Sequence, residues 1–415
     1  MEEEITMRVE ERFLNYVVVD TQSDEYSETS PSTEKQLVLA QMLAKELAEL
    51  GLEDAHVDEY GVVYAKLTAN AEGFPAIGLN AHMDTATDLS GANVQPRIIN
   101  NYAGEIIELN EEIKMDPKQF AVLNKHIGED LIVTDGTTLL GGDDKAGIAI
   151  ILTAVEQIIQ NKVPHGDIYV AFTPDEEVGR GTEHFNLEKF AADFAYTVDG
   201  GDIDAIDYEN FNAAQAIVHI HGKSIHTGAA KNKMVNASLI AMQFHSLLPV
   251  EMNPAYTEGY EGFNHLLHLK GECEEAQMVY LIRNHDETKF EQQKQLFFEA
   301  SAFINQRYGA HTCSVEIKDQ YRNMRTLIEK DMRVIELAKR AISSAGLIPR
   351  SQPVRGGTDG AALTYQGLPC PNFGTGSYNH HGRYEFASIQ DMNKMVEIIY
   401  QVLVSAKQVS EELAA

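Results

Sequence analysis

Cysteine is scarce, basic residues are outnumbered, and no long apolar run is present. The three cysteines among 415 residues, Cys273, Cys313 and Cys370, lie far apart and form no Cys-x-x-Cys pair. That excludes a disulfide framework. They read as packed thiols in a reducing cytoplasm rather than as ligands or nucleophiles. Lys and Arg number 33 against 63 Asp and Glu, for a formal charge of −30. Such a surface repels nucleic acid and anionic membrane, and it attracts cations. No apolar stretch approaches the roughly 20 residues of a membrane-spanning helix. The acidic, amphipathic start lacks the basic head and apolar core of a signal peptide. The expectation is a cytoplasmic protein with no nucleic-acid or membrane partner. Internal repeats, Gly/Ser linkers and low-complexity segments are absent as well.

The chain is long enough for two or three domains, and its 44% hydrophobic content suits a sizeable soluble core. Residues 1 to about 50 carry helical periodicity. Val9, Phe13, Val17 and Val18 make one stripe. Leu37, Leu39, Met42, Leu43, Leu47 and Leu50 make another, with Ser32 or Thr33 as N-cap and a stop at Gly51. Short apolar runs at 58–66, 75–81, 167–173 and 192–198 read as strands, and 148–160 as a helix apolar on nearly all sides. Residues 86–135 are polar and mixed, which suits loops and hairpins. From about Asn210 the texture changes. Strands at 213–222, 278–283 and 313–318 alternate with helices at 229–248 and 289–308, as in a small inserted α+β domain. A helix at 332–345, a short run at 371–373, residues 380–386 and a helix at 389–407 then complete the first domain.

Four apolar runs end in acidic or histidine-bearing residues. One ends at His82-x-Asp84, one at Asp143-Asp144, one at Thr173-Pro-Asp-Glu-Glu-Val-Gly179, and one at Asp199. Pro174 stops its strand, leaving Asp175, Glu176 and Glu177 together beyond the end. Taken alone, that acidic run reads as a solvated loop. Four such ends on one sheet edge change the reading, because open α/β sheets bind ligands outside the carboxyl ends of their strands. Like charges crowd together only where a cation shares the space. Nitrogen and carboxylate donors without Cys suit Zn²⁺, with Co²⁺ or Mn²⁺ as substitutes. A carboxylate not used as a ligand could carry a proton, so Glu176 and Glu177 could divide these two roles.

His82-Met-Asp84, Gly142-Asp-Asp-Lys-Ala-Gly147, Asp175-Glu-Glu177, Asp199, His226 and Asn379-His-His-Gly382 together resemble the M20 family of di-zinc peptidases. Thr257-Glu-Gly-Tyr-Glu-Gly-Phe263, Met234-Val-Asn-Ala237 and Arg355-Gly-Gly-Thr-Asp-Gly360 resemble its tripeptide aminopeptidase branch. The resemblance runs nearly end to end. It implies an α/β fold: a mixed-sheet catalytic domain with helices on both faces (1–208 and 326–415), plus a smaller inserted α+β lid and dimerisation domain (209–325). It implies that His82 and Asp199 hold one zinc, Glu177 and His381 the other, and Asp143 bridges them. His380 is adjacent; His381 is chosen because it precedes Gly382. Glu176 would be the general base and then acid, Asp84 would orient His82, and the Asp143–Asp144 peptide would be cis. His226 would stabilise the oxyanion, and Asn236, Arg283 and Arg355 would grip a small peptide. The implied activity is release of the N-terminal residue from tripeptides. The alternative is another hydrolase of the family: a dipeptidase, carboxypeptidase or N-acyl-amino-acid deacylase. Two positions depart from the family pattern. Asn284-His-Asp286 follows Arg283 where Asp-Phe-Asp is expected, and Gly-Arg-Tyr-Glu385 follows His381 where a Lys-His-Glu run is usual.

Overall fold

A computed structural model describes residues 7–414; the part of the expected first helix at residues 1–6 lies outside them. The chain divides into two compact units. One takes in the chain up to Tyr208, then Thr326–Gln352 and the residues from Thr358 on. The other comprises Glu209–Arg325 and Pro353–Gly357.

The first unit is built on a seven-stranded mixed sheet in the order Glu53–Val57, Val63–Leu67, Ile168–Thr173, Ile77–His82, Phe194–Val198, Asn372–Phe373, Ile206–Asp207. Its central strands are parallel. His82 pairs with Thr173, Asn80 with Thr197, and Thr197 with Asn372. The carboxyl ends of these strands therefore fall side by side on one edge. Both faces of the strands are buried, which is why they read as continuous apolar runs rather than as alternation. On one face Ala171 and Ala195 pack with Leu363, Leu368 and Cys370. The Gly142–Asn161 helix packs on Ile77–His82 and Phe194–Val198, and in turn against Val9–Val17 and Ile389–Ala414. The mixed α/β class expected from the sequence is the one observed.

Gly147 sets how closely that helix approaches the sheet. A Cβ there would overlap the carbonyl oxygen of Val198. The helix can begin beside the Phe194–Val198 strand end only because residue 147 has no side chain. Gly141, at φ 82°, turns the chain into it. The Asp143–Asp144 peptide is cis.

Several local expectations need correction. The strand predicted at 58–66 begins only at Val63: Glu53–Val57 and Val63–Leu67 form a hairpin, and Gly61 (φ 87°) lies in the turn between them, the turn or bulge position expected for it. The second helix starts at Gln36 with Lys35 at its N-cap, not at Ser32 or Thr33. Ser32 instead gives its backbone N–H to Asp175 at 2.7 Å. Val18 lies beyond the end of the first helix and is exposed. Residues 380–386 are mostly turn, with a strand only at Phe386–Ser388. That strand joins Ser377–Tyr378, Leu131–Val133 and Arg97–Ile99 in a small antiparallel sheet.

The second unit is a four-stranded antiparallel sheet in the order Phe263–Gly271, Glu275–Asn284, Asn212–His221, Cys313–Tyr321. Ala237–Leu247 and Glu287–Tyr308 bury Ala241, Phe244, Phe297 and Ile304 with Val218, Met278 and Tyr280 of the sheet. The edge strand Phe263–Gly271 has no counterpart in the sequence reading. Its residues from Leu267 on are exposed, and His265, His268 and Lys270 hide the apolar alternation that would announce it.

Candidate metal centre

Five elements meet at the edge of the seven-stranded sheet. His82 closes its strand and is 2% exposed. Asp143 stands at the head of the buried helix. Glu176 and Glu177 lie in a single turn after Ile168–Thr173, and Asp199 directly follows Phe194–Val198. His381 comes from the loop before Phe386–Ser388, where Asn379 and His381 both have positive φ, 58° and 62°. His82 Nε2 lies 3.0 Å from Asp143 Oδ1. Asp143 Oδ2 lies 3.4 Å from His381 Nε2, which is 3.1 Å from Glu177 Oε2. Donor atoms of His82, Asp143 and Asp199 all lie within 4.8 Å of one another, and so do those of Asp143, Glu177 and His381. Asp143 belongs to both groups. His380 takes a different place. Its Nε2 is 2.9 Å from Ser377 Oγ, and its Nδ1 is 3.5 Å from Asp143 Oδ2.

Carboxylates outside the two groups hold the backbone that carries them. Asp84 accepts the N–H groups of Glu176 at 3.0 Å and Glu177 at 3.1 Å. Its Oδ1 is also 3.3 Å from His82 Nδ1, whose nearer partner is the Asp84 carbonyl at 3.1 Å. Asp144 accepts the His82 N–H at 3.1 Å. Asp175, the third acid of its run, turns away and accepts from Ser32 and Gln36. Its job is to pin the turn to the N-terminal segment.

The electrostatics follow from burying so many acids together. Burial, opposed by His82 and reinforced by Asp359, Asp199 and Glu177, pushes Glu176 well above the usual carboxylate range. Burial and Asp143 push Asp199 up to about 7. Glu177 is raised by burial and by Asp143. Asp143 falls well below its ordinary value: burial opposes its charge, but His380, His381 and His82 outweigh that penalty. Whatever holds a proton between such groups can hold a cation in its place. The donors fit a divalent metal in another way too. Glu177 Oε1 is buried and has no hydrogen-bond partner, an expensive vacancy for a carboxylate unless a cation fills it. Imidazole and carboxylate donors without thiolate are the set that Zn²⁺, Co²⁺ or Mn²⁺ accept.

The remaining candidates lie in the second unit. His226 is exposed, and its Nδ1 accepts the Gly228 N–H at 3.2 Å. Asn236 caps the Ala237–Leu247 helix by accepting from Leu239 N at 3.2 Å. Arg283 donates to the carbonyls of Ala214 and Ile282, with Tyr321 beneath its guanidinium. Arg355 donates to the carbonyls of Gly259 and Glu261 at 2.8 Å and to Thr257 Oγ1 at 2.9 Å. Two motifs distant in sequence, 257–263 and 355–360, thus meet through one side chain.

Comparison with known proteins fits this geometry. The peptidase family M20/M25/M40 matches residues 136–405, a span that includes Asp143, Glu176, Glu177, Asp199 and His381. Peptidase T of Caldanaerobacter subterraneus subsp. tengcongensis is 51% identical over 400 residues, covering 95% of this chain and 98% of its own length. The chain belongs to the M20 peptidase family. Peptidase T of Clostridium perfringens strain 13 is 50% identical over 398 residues, with the same shares covered. Among solved structures, a tripeptidase from Staphylococcus aureus superposes with a TM-score of 0.78 at 22% identity, over 97% of this chain and 98% of that one. A Bacillus subtilis member, described as a dinuclear metal-binding peptidase, superposes with a TM-score of 0.64 at 13% identity, over 97% and 99%. M20 peptidases act on peptides, and this chain is an enzyme of that kind. None of its described helices is long and apolar enough to cross a membrane.

The sequence reading assigned no role to Glu385, Asp359 or Lys145, all buried near the site. Asp359 is 5% exposed and accepts from Thr173 Oγ1 at 2.6 Å. Lys145 is 1% exposed and donates to the Val19 carbonyl at 2.7 Å. Lys145 and Asp359 stand inside the motifs at 142–147 and 355–360, but a motif does not say which of its members face inward.

Proposed function

We propose that this M20 peptidase is a di-zinc aminopeptidase that releases the N-terminal residue of tripeptides in the cytoplasm. The observation that carries the metal reading is Asp143, which belongs to both donor groups, with its Oδ1 toward His82 and its Oδ2 toward His381. In this reading His82, Asp143, Glu177, Asp199 and His381 hold two zinc ions, with Asp143 shared. Bound zinc supplies Lewis acidity, lowering the pKa of a water and polarising the scissile carbonyl. Glu176 takes the proton from the attacking water as its oxygen bonds to the carbonyl carbon. It then gives that proton to the amine nitrogen as the C–N bond breaks. A buried carboxyl with a raised pKa suits both halves of that transfer. Asp84 fixes Glu176 and Glu177 through their backbone N–H groups and steadies the His82 ring.

His226 is the proposed oxyanion donor. With Nδ1 accepting the Gly228 N–H, Nε2 is the nitrogen left to donate, as this proposed role requires. Asn236, Arg283 and Arg355 are proposed to hold the peptide, an Arg being suited to bidentate capture of its C-terminal carboxylate. For each Arg, that carboxylate must compete with the carbonyls the guanidinium already meets. The tripeptide preference is supported by curated relatives named Peptidase T. The second unit is the proposed lid and dimerisation surface.

A panel of di-, tri- and tetrapeptides, free and blocked at each end and assayed with and without chelator, tests the proposal. Free tripeptides should be cleaved fastest, with activity lost to chelator. Rapid cleavage of N-blocked peptides would point instead to a deacylase or carboxypeptidase of the same family.

A further inference from the structure

Asp143 is the residue on which both donor groups depend, so what fixes Asp143 matters most. It stands at the head of the Gly142–Asn161 helix, just after Gly141, where its own backbone (φ −86°, ψ 103°) is not helical. The bracing comes from Glu385. This side chain is 1% exposed. Its Oε2 accepts the N–H groups of Leu140 and Gly141, each at 2.8 Å, and its Oε1 accepts that of Asp143 at 2.9 Å. Both oxygens accept from backbone, and Glu385 belongs to neither donor group. The loop is wrapped closely around it: a Cβ on Gly142 would lie 2.9 Å from Ser377 Cβ and 3.1 Å from Glu385 Oε1.

Glu385 also stands on firm ground. The next residue, Phe386, opens a strand that pairs with both Val133 and Tyr378. Four residues upstream, the same segment carries His381. One carboxylate therefore ties the segment bearing His381 to the loop bearing Asp143, which are two of the three corners of one donor group. Charge-assisted bonds to three N–H groups are strong, and they specify position as well as energy.

We propose that Glu385 is a positioning residue for the metal centre: by clamping the 140–143 loop it sets where the Asp143 carboxylate lies between the two donor groups. The inference rests on the reading of Asp143 as a shared ligand. In Glu385→Gln, the amide group meets N–H groups head on, so part of the clamp becomes repulsive while size is kept. In Glu385→Asp the charge stays but the reach is one methylene short.

The test is titration of chelator-stripped full-length protein with Co²⁺, following the visible ligand-field band, beside tripeptide kinetics. Outer-shell partners of this kind typically govern metal affinity by about 10–100-fold. Glu385→Gln should weaken Co²⁺ binding within that range, shift the band, and lower kcat more than it changes KM. Glu385→Asp should fall between it and the parent, and it decides the matter if the Gln variant does not fold. The comparison variant is Asp207→Asn, which alters a buried carboxylate on the far edge strand of the same sheet. It should leave Co²⁺ binding and its spectrum unchanged. If the Glu385 variants lose thermal stability but bind Co²⁺ like the parent with the parent's spectrum, the clamp is only structural and the proposal fails. If the parent itself binds no Co²⁺, the shared-ligand reading fails, and the role of Glu385 with it.

Discussion

The carboxylate of Asp84 accepts the backbone N–H of Glu176 at 3.0 Å, and its other oxygen accepts that of Glu177 at 3.1 Å. The proposed proton carrier and the proposed ligand beside it are thus aimed by one fully buried side chain from a neighbouring strand end. Asp84→Asn must turn an amide N–H₂ toward one of those donors and lose that bond. The expected outcome is a fall in kcat/KM of about 10–100-fold with weakened metal retention, the usual effect of removing such a partner. Steady-state kinetics and metal content of the purified variant measure it. An Asp84→Asn enzyme as active as the parent would show that the turn needs no such support.

Glu176 and Glu177 are neighbours with different proposed work, and substitution separates them. Glu176→Gln removes the proton carrier and keeps the shape. Turnover should drop about 10²–10⁴-fold, the range for a general acid–base group, while metal content stays at the parent's level. Glu177→Gln should instead lower metal content first. Elemental analysis of both variants beside tripeptide hydrolysis distinguishes them. Equal metal loss in the two would merge the roles.

How much of this could be read from the residues depends on what each one does. The parallel core strands were legible because both faces are buried, so 168–173 and 194–198 appear as plain apolar runs. The candidate donors were legible because each follows such a run, and adjacent strand ends bring them together. What could not be read was backbone service. Glu385, Asp144 and Asp175 are ordinary acids in sequence. Only the folded chain shows that they spend their oxygens on N–H groups of other segments. The edge strand Phe263–Gly271 escaped for a related reason, since a solvent-facing strand with four polar or histidine positions carries no strong period. Arg355 was expected to help grip a peptide, but the motif could not reveal that carbonyls at 257–261 surround it.

Asp207 gives the first unit a stability that depends on pH. Burial, countered by the Gln352 N–H and by Arg350, lifts this carboxyl to about 6, against about 3.9 in an unfolded chain. Because the folded pKa is the higher one, the native state holds the proton more tightly. Stability is therefore lost as pH rises from about 4 through 6, and the loss is complete above that. Asp207→Asn keeps the acceptor for Gln352 and removes the titration. Relative to the parent, the variant should gain roughly 1–1.5 kcal/mol between pH 5 and pH 8. Urea unfolding of metal-free protein at the two pH values reads the difference directly. A difference that does not change with pH would mean that Asp207 stays charged in the native state.

Gly147 links the fold to the site most directly. The oxygen of Val198 occupies the space where a side chain at 147 would begin, and Asp199 is the next residue along. Gly147→Ala must therefore move either the head of the Gly142–Asn161 helix, which carries Asp143, or the strand end that presents Asp199. Backbone cannot yield as a flexible side chain does, so the cost should reach about 1–3 kcal/mol or more. The movement should also separate Asp143 from Asp199 and leave the Asp143, Glu177 and His381 group less disturbed. The expected result is a fall in melting temperature together with preferential weakening of one of two metal equivalents in a Co²⁺ titration. Equal weakening of both would place the displacement in the loop of Asp143 itself. An unchanged melting temperature would show that helix and strand part without cost, so that the close approach is not what positions the acids.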